Sequence, residues 1–322
     1  MDKIPLVIIL GPTAVGKTGL SIEIAKRLDA EIISADSMQV YKYMNIGTAK
    51  PTEKERQGVP HYLLDVVYPD EDFNVSLYKE LADKRIKEVH SRGKLPLIVG
   101  GTGLYINSLI YSMNFSEAKG STEYRKHLTA LVDERGKDWL HNELFLVDPE
   151  SAKRLHPNDT RRIIRALEVH HITGKPISNQ SNTIYGNTSD YTVTLIGLTM
   201  ERKTLYERID RRVDEMISNG LLDEVRWLVE RGYGMHLNSM QGLGYKEIIQ
   251  YLVGRRTLIE SIYILKRDTR RFAKRQFTWF RRLPHVNWVD VSDFSDKNVL
   301  VEHIINLIEK DRVRKHSCNE LI

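Results

Sequence analysis

The sequence predicts an α/β protein in which a parallel β-sheet is flanked by helices and interrupted by an all-helical subdomain. Apolar strand-like runs alternate with amphipathic helices over residues 1 to about 113, the pattern of strands joined by crossover helices. From Phe115 to Asp190 helical periodicity continues without a convincing strand. Tyr191-Thr-Val-Thr-Leu-Ile-Gly-Leu198 then returns to the sheet. The expected division is a core of residues 1–114 and 191–322 around an insertion of residues 115–190.

Each element follows in order. Leu6-Val-Ile-Ile-Leu10 reads as a buried strand, and Leu20 to Leu28 as the amphipathic helix after the next loop. Glu31-Ile-Ile-Ser-Ala35 is a second strand, ending at Asp36-Ser37. A helix over Ser76 to Ser91 leads to the strand Leu95-Pro-Leu-Ile-Val99, the turn Gly100-Gly-Thr-Gly103 and a helix over Leu104 to Ser112. Within the insertion, helices are expected over Thr122 to Glu134 and over Thr160 to Ile172, the latter following Pro157-Asn-Asp159 and ending at Gly174. The polar stretch Asn179 to Asp190 reads as a loop. After the returning strand come helices over Arg202 to Asn219, stopped by Gly220, and over Leu221 to Arg231. A basic helix and a short strand at Val286-Asn-Trp-Val-Asp290 complete the core.

The loop between the first strand and its helix carries the strongest chemical signal. Gly11-Pro-Thr-Ala-Val-Gly-Lys-Thr18 fits G-x-x-x-x-G-K-[ST], in which backbone N–H groups surround phosphate oxygens. Strand, loop and helix in that order make the expected sheet a P-loop NTPase-like one. Gly11, Pro12, Thr13, Ala14, Val15, Gly16, Lys17 and Thr18 are the candidate diphosphate-binding residues, with Thr18 placed to hold a Mg²⁺. Asp36 follows the second strand on the same sheet edge, which sets a carboxylate beside a bound phosphate. Asp-Ser is also a common cap or turn pair. The strand Leu95–Val99 ends in glycines and Thr102, where many P-loop nucleotidases have a metal-holding aspartate. That departure weakens an ATPase assignment. Arg208 and Arg212 share a helix face; Arg212 could clamp a pyrophosphate or pair with Asp210, Asp214 or Glu215.

The 322 residues carry a net charge of +5, and 41% are hydrophobic. No apolar run reaches membrane-spanning length, and the chain enters its first strand without a secretory leader. The single cysteine, Cys318, leaves no disulfide framework or cysteine-cluster zinc site and fits a reducing cytoplasm. The charge is concentrated: Lys266 to Arg282 has eight cations and one acid, Asp268, so the rest of the chain sums to −2. Such a run is either a solvated face or a nucleic-acid contact. Phe272, Phe277, Trp279 and Phe280, interleaved with it, either supply a core face or stack on bases. Arg161 and Arg165 form a second basic face, with Arg162 beside them.

Together these segments resemble the tRNA dimethylallyltransferases, or tRNA isopentenyltransferases. The matching residues are the Gly11–Thr18 loop, Asp36-Ser-Met-Gln-Val-Tyr41, Asn45-Ile-Gly-Thr-Ala-Lys-Pro51 and Gly100-Gly-Thr-Gly-Leu-Tyr105. They continue with Arg161-Arg-Ile-Ile-Arg-Ala-Leu-Glu168, Arg208-Ile-Asp-Arg-Arg-Val213, Gln241-Gly-Leu-Gly-Tyr-Lys-Glu247 and Arg270-Arg-Phe-Ala-Lys-Arg-Gln-Phe-Thr-Trp-Phe280. The resemblance covers residues 6 to 282 in family order, and one cysteine excludes the C-terminal zinc finger of eukaryotic relatives, so the bacterial type matches best.

The resemblance implies transfer of a dimethylallyl group from dimethylallyl diphosphate to N6 of the adenosine 3′ of a tRNA anticodon. Asp36, Thr102 and Arg212 are its implied catalytic residues: Asp36 takes the amine proton, and Arg212 and Thr102 complete a clamp on pyrophosphate. For tRNA it points to Asp36, Ser37, Met38 and Gln39, to Thr102, to Thr160, Arg161, Arg162, Ile163 and Ile164, and to Gln241, Gly244, Tyr245 and Lys246. Arg165 and the helix cations Arg270, Arg271, Lys274 and Arg275 are expected on the RNA backbone. The expected protein is a cytoplasmic monomer using Mg²⁺. The competing assignments are a small-molecule P-loop kinase, an adenylate isopentenyltransferase acting on free nucleotide, and a non-catalytic tRNA-binding protein. The segment beyond Asp311 has no assigned role.

Overall fold

In the computed structural model, residues 3–111, 113, 120–179 and 190–319 are described, the side chains of 122 and 315–319 excepted. The chain divides into two compact units, residues 1–110 with 190–322, and residues 111–189.

The larger unit holds a six-stranded sheet: β1 (Ile4–Leu10), β2 (Ala30–Ala35), β3 (His61–Tyr62), β4 (Leu95–Gly100), β5 (Tyr191–Thr199) and β6 (Val286–Asp290). Its order is β3-β2-β4-β1-β5-β6, and every pairing is parallel. Helices cover parallel sheets on both faces, so their strands are apolar along their length. Accordingly all six residues of β2 are buried, as are the last five of β1. Register decides where the site forms. Leu10 pairs with Gly100 on one side and Gly197 on the other, and Gly100 also pairs with Ala35. The carboxyl ends of β1, β2 and β4 therefore finish level, bringing the loop after Leu10, Asp36 and the Gly101-Thr102 turn to one edge. Gly100 has to be glycine: a Cβ there would collide with the Ala35 carbonyl.

Two apolar clusters support that edge. One packs the sheet against the helix Lys17–Arg27 and the C-terminal helix Lys297–Asn319, through Leu300, Val301, Ile304, Ile305 and Ile308. That last helix had no counterpart in the sequence reading. It is also tied down by polar contacts: Glu302 and Asn298 both bond Arg27, and the Thr194 hydroxyl donates to Asp311 at 2.8 Å. The second cluster joins Val40, Tyr41 and Met44 to the helices Arg202–Ser218, Leu221–Glu230, Tyr245–Leu252 and Leu258–Phe280.

The basic helix begins well before its cations. Thr257 and Glu260 form a reciprocal capping box, and 23 residues follow to Phe280. Tyr245–Leu252 is a further helix, to which the sequence reading assigned no element, with Gly244 at its start at a positive φ of 94° that suits glycine.

The smaller unit is helical among its described residues: Thr122–Arg135, Lys137–Val147, Pro149–Arg154 and Thr160–Thr173. Leu128, Leu140, Leu144, Ile163, Ala166 and Leu167 form its core. Glu168, completely buried, accepts from Arg125 Nε at 2.8 Å, from Arg165 and from the Ser121 N–H at 2.7 Å. The expected loop over Asn179 to Asp190 lies almost wholly outside the described residues, as does the side chain of Cys318. Among the described residues no helix is long and apolar enough to cross a membrane.

Candidate active site

Two adjoining cavities open at the carboxyl edge of the sheet. The first, about 610 Å³, is lined by Thr13, Ala14, Gly16, Lys17 and Thr18 of the loop, by Arg208, Arg211 and Arg212, and by residues of the 45–55 segment. The second, about 330 Å³, is lined by Ser37, Met38 and Thr102, by Gln241 to Leu243, Tyr245 and Lys246, and by Ile209, Val213, Leu265 and Arg275. Thr13, Asp36, Thr48, Arg212, Met216, Phe272 and Gln276 line both.

The loop is shaped for an anion. Ala14 (φ 65°) and Gly16 (φ 102°) take left-handed backbone values, the kind of backbone from which anion-binding nests are built. For Ala14 that conformation costs on the order of 1–3 kcal/mol, strain of the kind held at functional sites. Lys17 Nζ donates to the Gly11 and Pro12 carbonyls at 3.0 and 2.8 Å, tying the start of the loop to the helix that follows it. Burial brings its ammonium down from 10.5 to about 8, against the pull of Asp36 and with the push of Arg212. Thr18 is exposed on the first cavity.

Asp36 serves as a turn residue and lines the cavities too. Its Oδ1 accepts the N–H groups of Met38 (2.8 Å) and Gln39 (3.3 Å). No hydrogen bond reaches Oδ2 among the described residues, so that oxygen is available to a ligand. Thr102 holds this turn: its Oγ1 accepts the Ser37 N–H at 3.0 Å and donates to the Ser37 hydroxyl at 3.3 Å. It lines the second cavity, and its hydrogen bonds support the turn that carries Asp36.

Arg212 is not paired with Asp210 or Asp214. Those carboxylates are taken by the basic helix, Asp210 by Arg270 and Asp214 by Lys266 at 2.7 Å. Arg212, on another face of the same helix, turns inward, its Nη1 3.5 Å from the Thr13 hydroxyl. Burial pulls its guanidinium below the usual range, while Asp36, Glu215 and Glu55 oppose that shift.

The 45–48 segment forms the shared rim and is pinned by residues that sequence reasoning did not single out. Glu224 accepts the N–H groups of Asn45, Ile46 and Gly47 at 2.9, 2.8 and 3.1 Å, and the Tyr245 hydroxyl at 2.7 Å. Buried Lys50 donates to the Tyr41 carbonyl at 2.7 Å and to Asp65 at 2.6 Å. Glu224 lies on a helix far along the chain with no local signal. Lys50 and Gln276 stand inside the quoted motifs, but only the structure shows that they are buried.

The expected RNA-contact residues divide. Ser37, Met38, Gln39, Gln241 and Lys246 reach the cavities. Gly244 and Tyr245 are buried, and the Tyr245 ring packs against Gly47 so closely that a Cβ there would sit 2.5 Å from it. Those two are therefore framework, Tyr245 showing only an edge to the second cavity. Ile163 is fully buried in the core of the smaller unit, which withdraws its side chain from RNA. In that unit Arg162 pairs with Asp159 at 3.0 Å, Arg165 with Glu168, and Arg161 is exposed. Along the basic helix Arg271 pairs with Asp268 at 3.4 Å and Arg270 with Asp210, whereas Lys274 and Arg275 are exposed without an acidic partner among the described residues. The aromatics split as well. Phe280 is core, Phe277 packs edge-on against Trp288, Phe272 lines both cavities and Trp279 is exposed beside Gly103.

Comparison with known proteins gives the same direction throughout. The family model for IPP transferase matches residues 39–283. The tRNA dimethylallyltransferase of Acetivibrio thermocellus is 52% identical over 304 residues, 94% of this chain and 96% of that protein. That of Caldanaerobacter subterraneus subsp. tengcongensis is 50% identical over 307 residues, 95% of this chain and 98% of that protein. Among solved structures, the tRNA isopentenylpyrophosphate transferase of Bacillus halodurans superposes with a TM-score of 0.73 at 46% identity, covering 98% of this chain and all of that one. A eukaryotic dimethylallyltransferase acting on tRNA superposes with a TM-score of 0.83 at 30% identity, covering 97% of this chain and 80% of that one.

Proposed function

The chain belongs to the IPP transferase family, and from that premise we propose how its two adjoining cavities work. It is an enzyme that transfers a prenyl group to tRNA. We assign dimethylallyl diphosphate as donor and N6 of the adenosine 3′ of the anticodon as acceptor. The wall common to both cavities, with Thr13, Asp36 and Arg212 on it, carries this reading. A donor entering from the loop side and a base entering from the other side meet there.

The diphosphate binds in the first cavity against the amides of the Gly11–Thr18 loop, with Lys17 and Arg212 beside it. Negative charge grows on it as the C1–O bond breaks, and fixed donors are worth most where charge develops. The acceptor base cannot react inside a stacked loop, so it is turned out into the second cavity. The N6 lone pair forms the bond to C1, the C1–O electron pair leaves with pyrophosphate, and Asp36 Oδ2 takes the N6 proton. Met216 and Phe272, on the shared wall, offer an apolar surface to the five-carbon chain. The exposed Thr18 would be the residue to hold a Mg²⁺, which would supply positive charge against the leaving group. We take the working unit to be a cytoplasmic monomer.

The test is incubation with dimethylallyl diphosphate, Mg²⁺ and unmodified tRNA, followed by digestion and nucleoside analysis, with AMP as a parallel acceptor. Isopentenyladenosine in the tRNA arm is the expected product. Product in the AMP arm alone, or in neither, would overturn the assignment.

A further inference from the structure

Gln276 lies on the basic helix yet bonds both lips of the site. Its Oε1 accepts the Thr13 N–H at 2.9 Å, and its Nε2 donates to the Gly101 carbonyl at 2.9 Å. It is 7% exposed and lines both cavities, while its neighbours Lys274 and Arg275 are exposed. One orientation of the amide satisfies both bonds, because reversing it would set N–H against N–H and oxygen against oxygen. A Cβ on Gly101 would collide with Gln276 Nε2, so a glycine is what allows the approach.

The consequence concerns Thr13. Its N–H belongs to the phosphate loop but is directed at the helix, and its hydroxyl is the group that faces Arg212. We propose that Gln276 is a positioning residue: it fixes the Thr13 peptide so that the Thr13 hydroxyl and Arg212 meet at the shared wall, and so locks the RNA-facing helix in register with the diphosphate loop. This rests on the transfer function proposed above.

The experiment compares Gln276→Met, which keeps the volume and loses both bonds, with Gln276→Glu, which can still accept from Thr13 but cannot donate to Gly101. Steady-state kcat and the KM for dimethylallyl diphosphate are measured at saturating tRNA, alongside the tRNA dissociation constant. A small misplacement of reacting groups can cost about 10²-fold, so the Met variant should lose kcat on that order. It should bind tRNA within about twofold of wild type, because the exposed phosphate-contacting cations remain. The Glu variant should recover part of the lost kcat. Wild-type kcat in the Met variant, equal losses in both variants, or a loss of tRNA affinity that accounts for the drop would each overturn the proposal. No transfer by the wild-type protein would instead remove the function on which it rests.

Discussion

Arg212 Nη1 stands 3.5 Å from the Thr13 hydroxyl, although 199 residues separate them. The contact joins the helix Arg202–Ser218 to the phosphate loop and puts a guanidinium on the wall that both cavities share. Asp210 and Asp214 lie two residues to either side of Arg212 on the same helix and so face away from it, towards Arg270 and Lys266. The helix thus turns its acids to the basic helix and Arg212 to the site.

Asp36→Ala should keep tRNA binding and lose most turnover. Its Oδ1 bonds to Met38 and Gln39 hold only a local turn that Thr102 also supports, whereas the proton acceptor is lost outright. General-base removal typically costs about 10²–10⁴-fold. Single-turnover product formation with pre-bound tRNA measures it, and a near-normal rate would move the base role to another group.

Lys17 gives the site a pH signature. Burial lowers its ammonium from 10.5 to about 8, so between those values the unfolded chain binds more protons than the folded one. Its contribution to stability therefore rises with pH through that window. Donor binding goes the opposite way, since the free enzyme loses the cation as pH climbs through about 8. The KM for dimethylallyl diphosphate should rise between pH 7 and 9. Lys17→Arg, which stays charged, should show a flat profile over the same range. A flat wild-type profile would refute the assignment.

The basic helix should not act as a uniform strip. Lys274→Ala with Arg275→Ala removes exposed cations without acidic partners, and should reduce the slope of log K against log salt by about 1–2. Arg270→Ala should change the slope less, because it also frees the Asp210 carboxylate from its pair. Filter-binding titrations from 50 to about 200 mM salt separate the two. Wild-type slopes in both variants would reduce the helix to a solvated face.

Within the smaller unit, Glu168→Gln removes the acceptor charge shared by Arg125, Arg165 and Ser121 at a fully buried position. Charge-assisted hydrogen bonds contribute about 1.5–3 kcal/mol each at most, so a loss on that order is expected in urea denaturation. Arg161→Ala, at an exposed position on the same unit, should leave stability within about 0.5 kcal/mol.

Most of the sheet was legible because parallel strands are continuously apolar and the crossover helices amphipathic. β3 was not, since two residues carry no periodicity. The helix Lys297–Asn319 was missed for a different reason: its apolar positions Leu300, Val301, Ile304, Ile305 and Ile308 show a face, but the basic tail beyond them hides it. The same limit applies at the site. Glu224 and Gln276 act through bonds to backbone 175 to 263 residues away, and no local pattern announces such a partner.

By itself the sequence determined that a phosphate loop, Asp36 and a cation-rich helix belong to one protein of this family, because each is written in contiguous residues. Only the tertiary structure decided which side chains face the chemistry. Pairing in register brought Leu10, Ala35 and Gly100 level, so that three loops share one edge. Packing then sorted like residues by their neighbours: Arg270 to a carboxylate and Arg212 to Thr13, Tyr245 to the frame and Phe272 to the cavity wall. Charge and type are local properties of a chain, whereas orientation and partner are set by elements that meet only after folding.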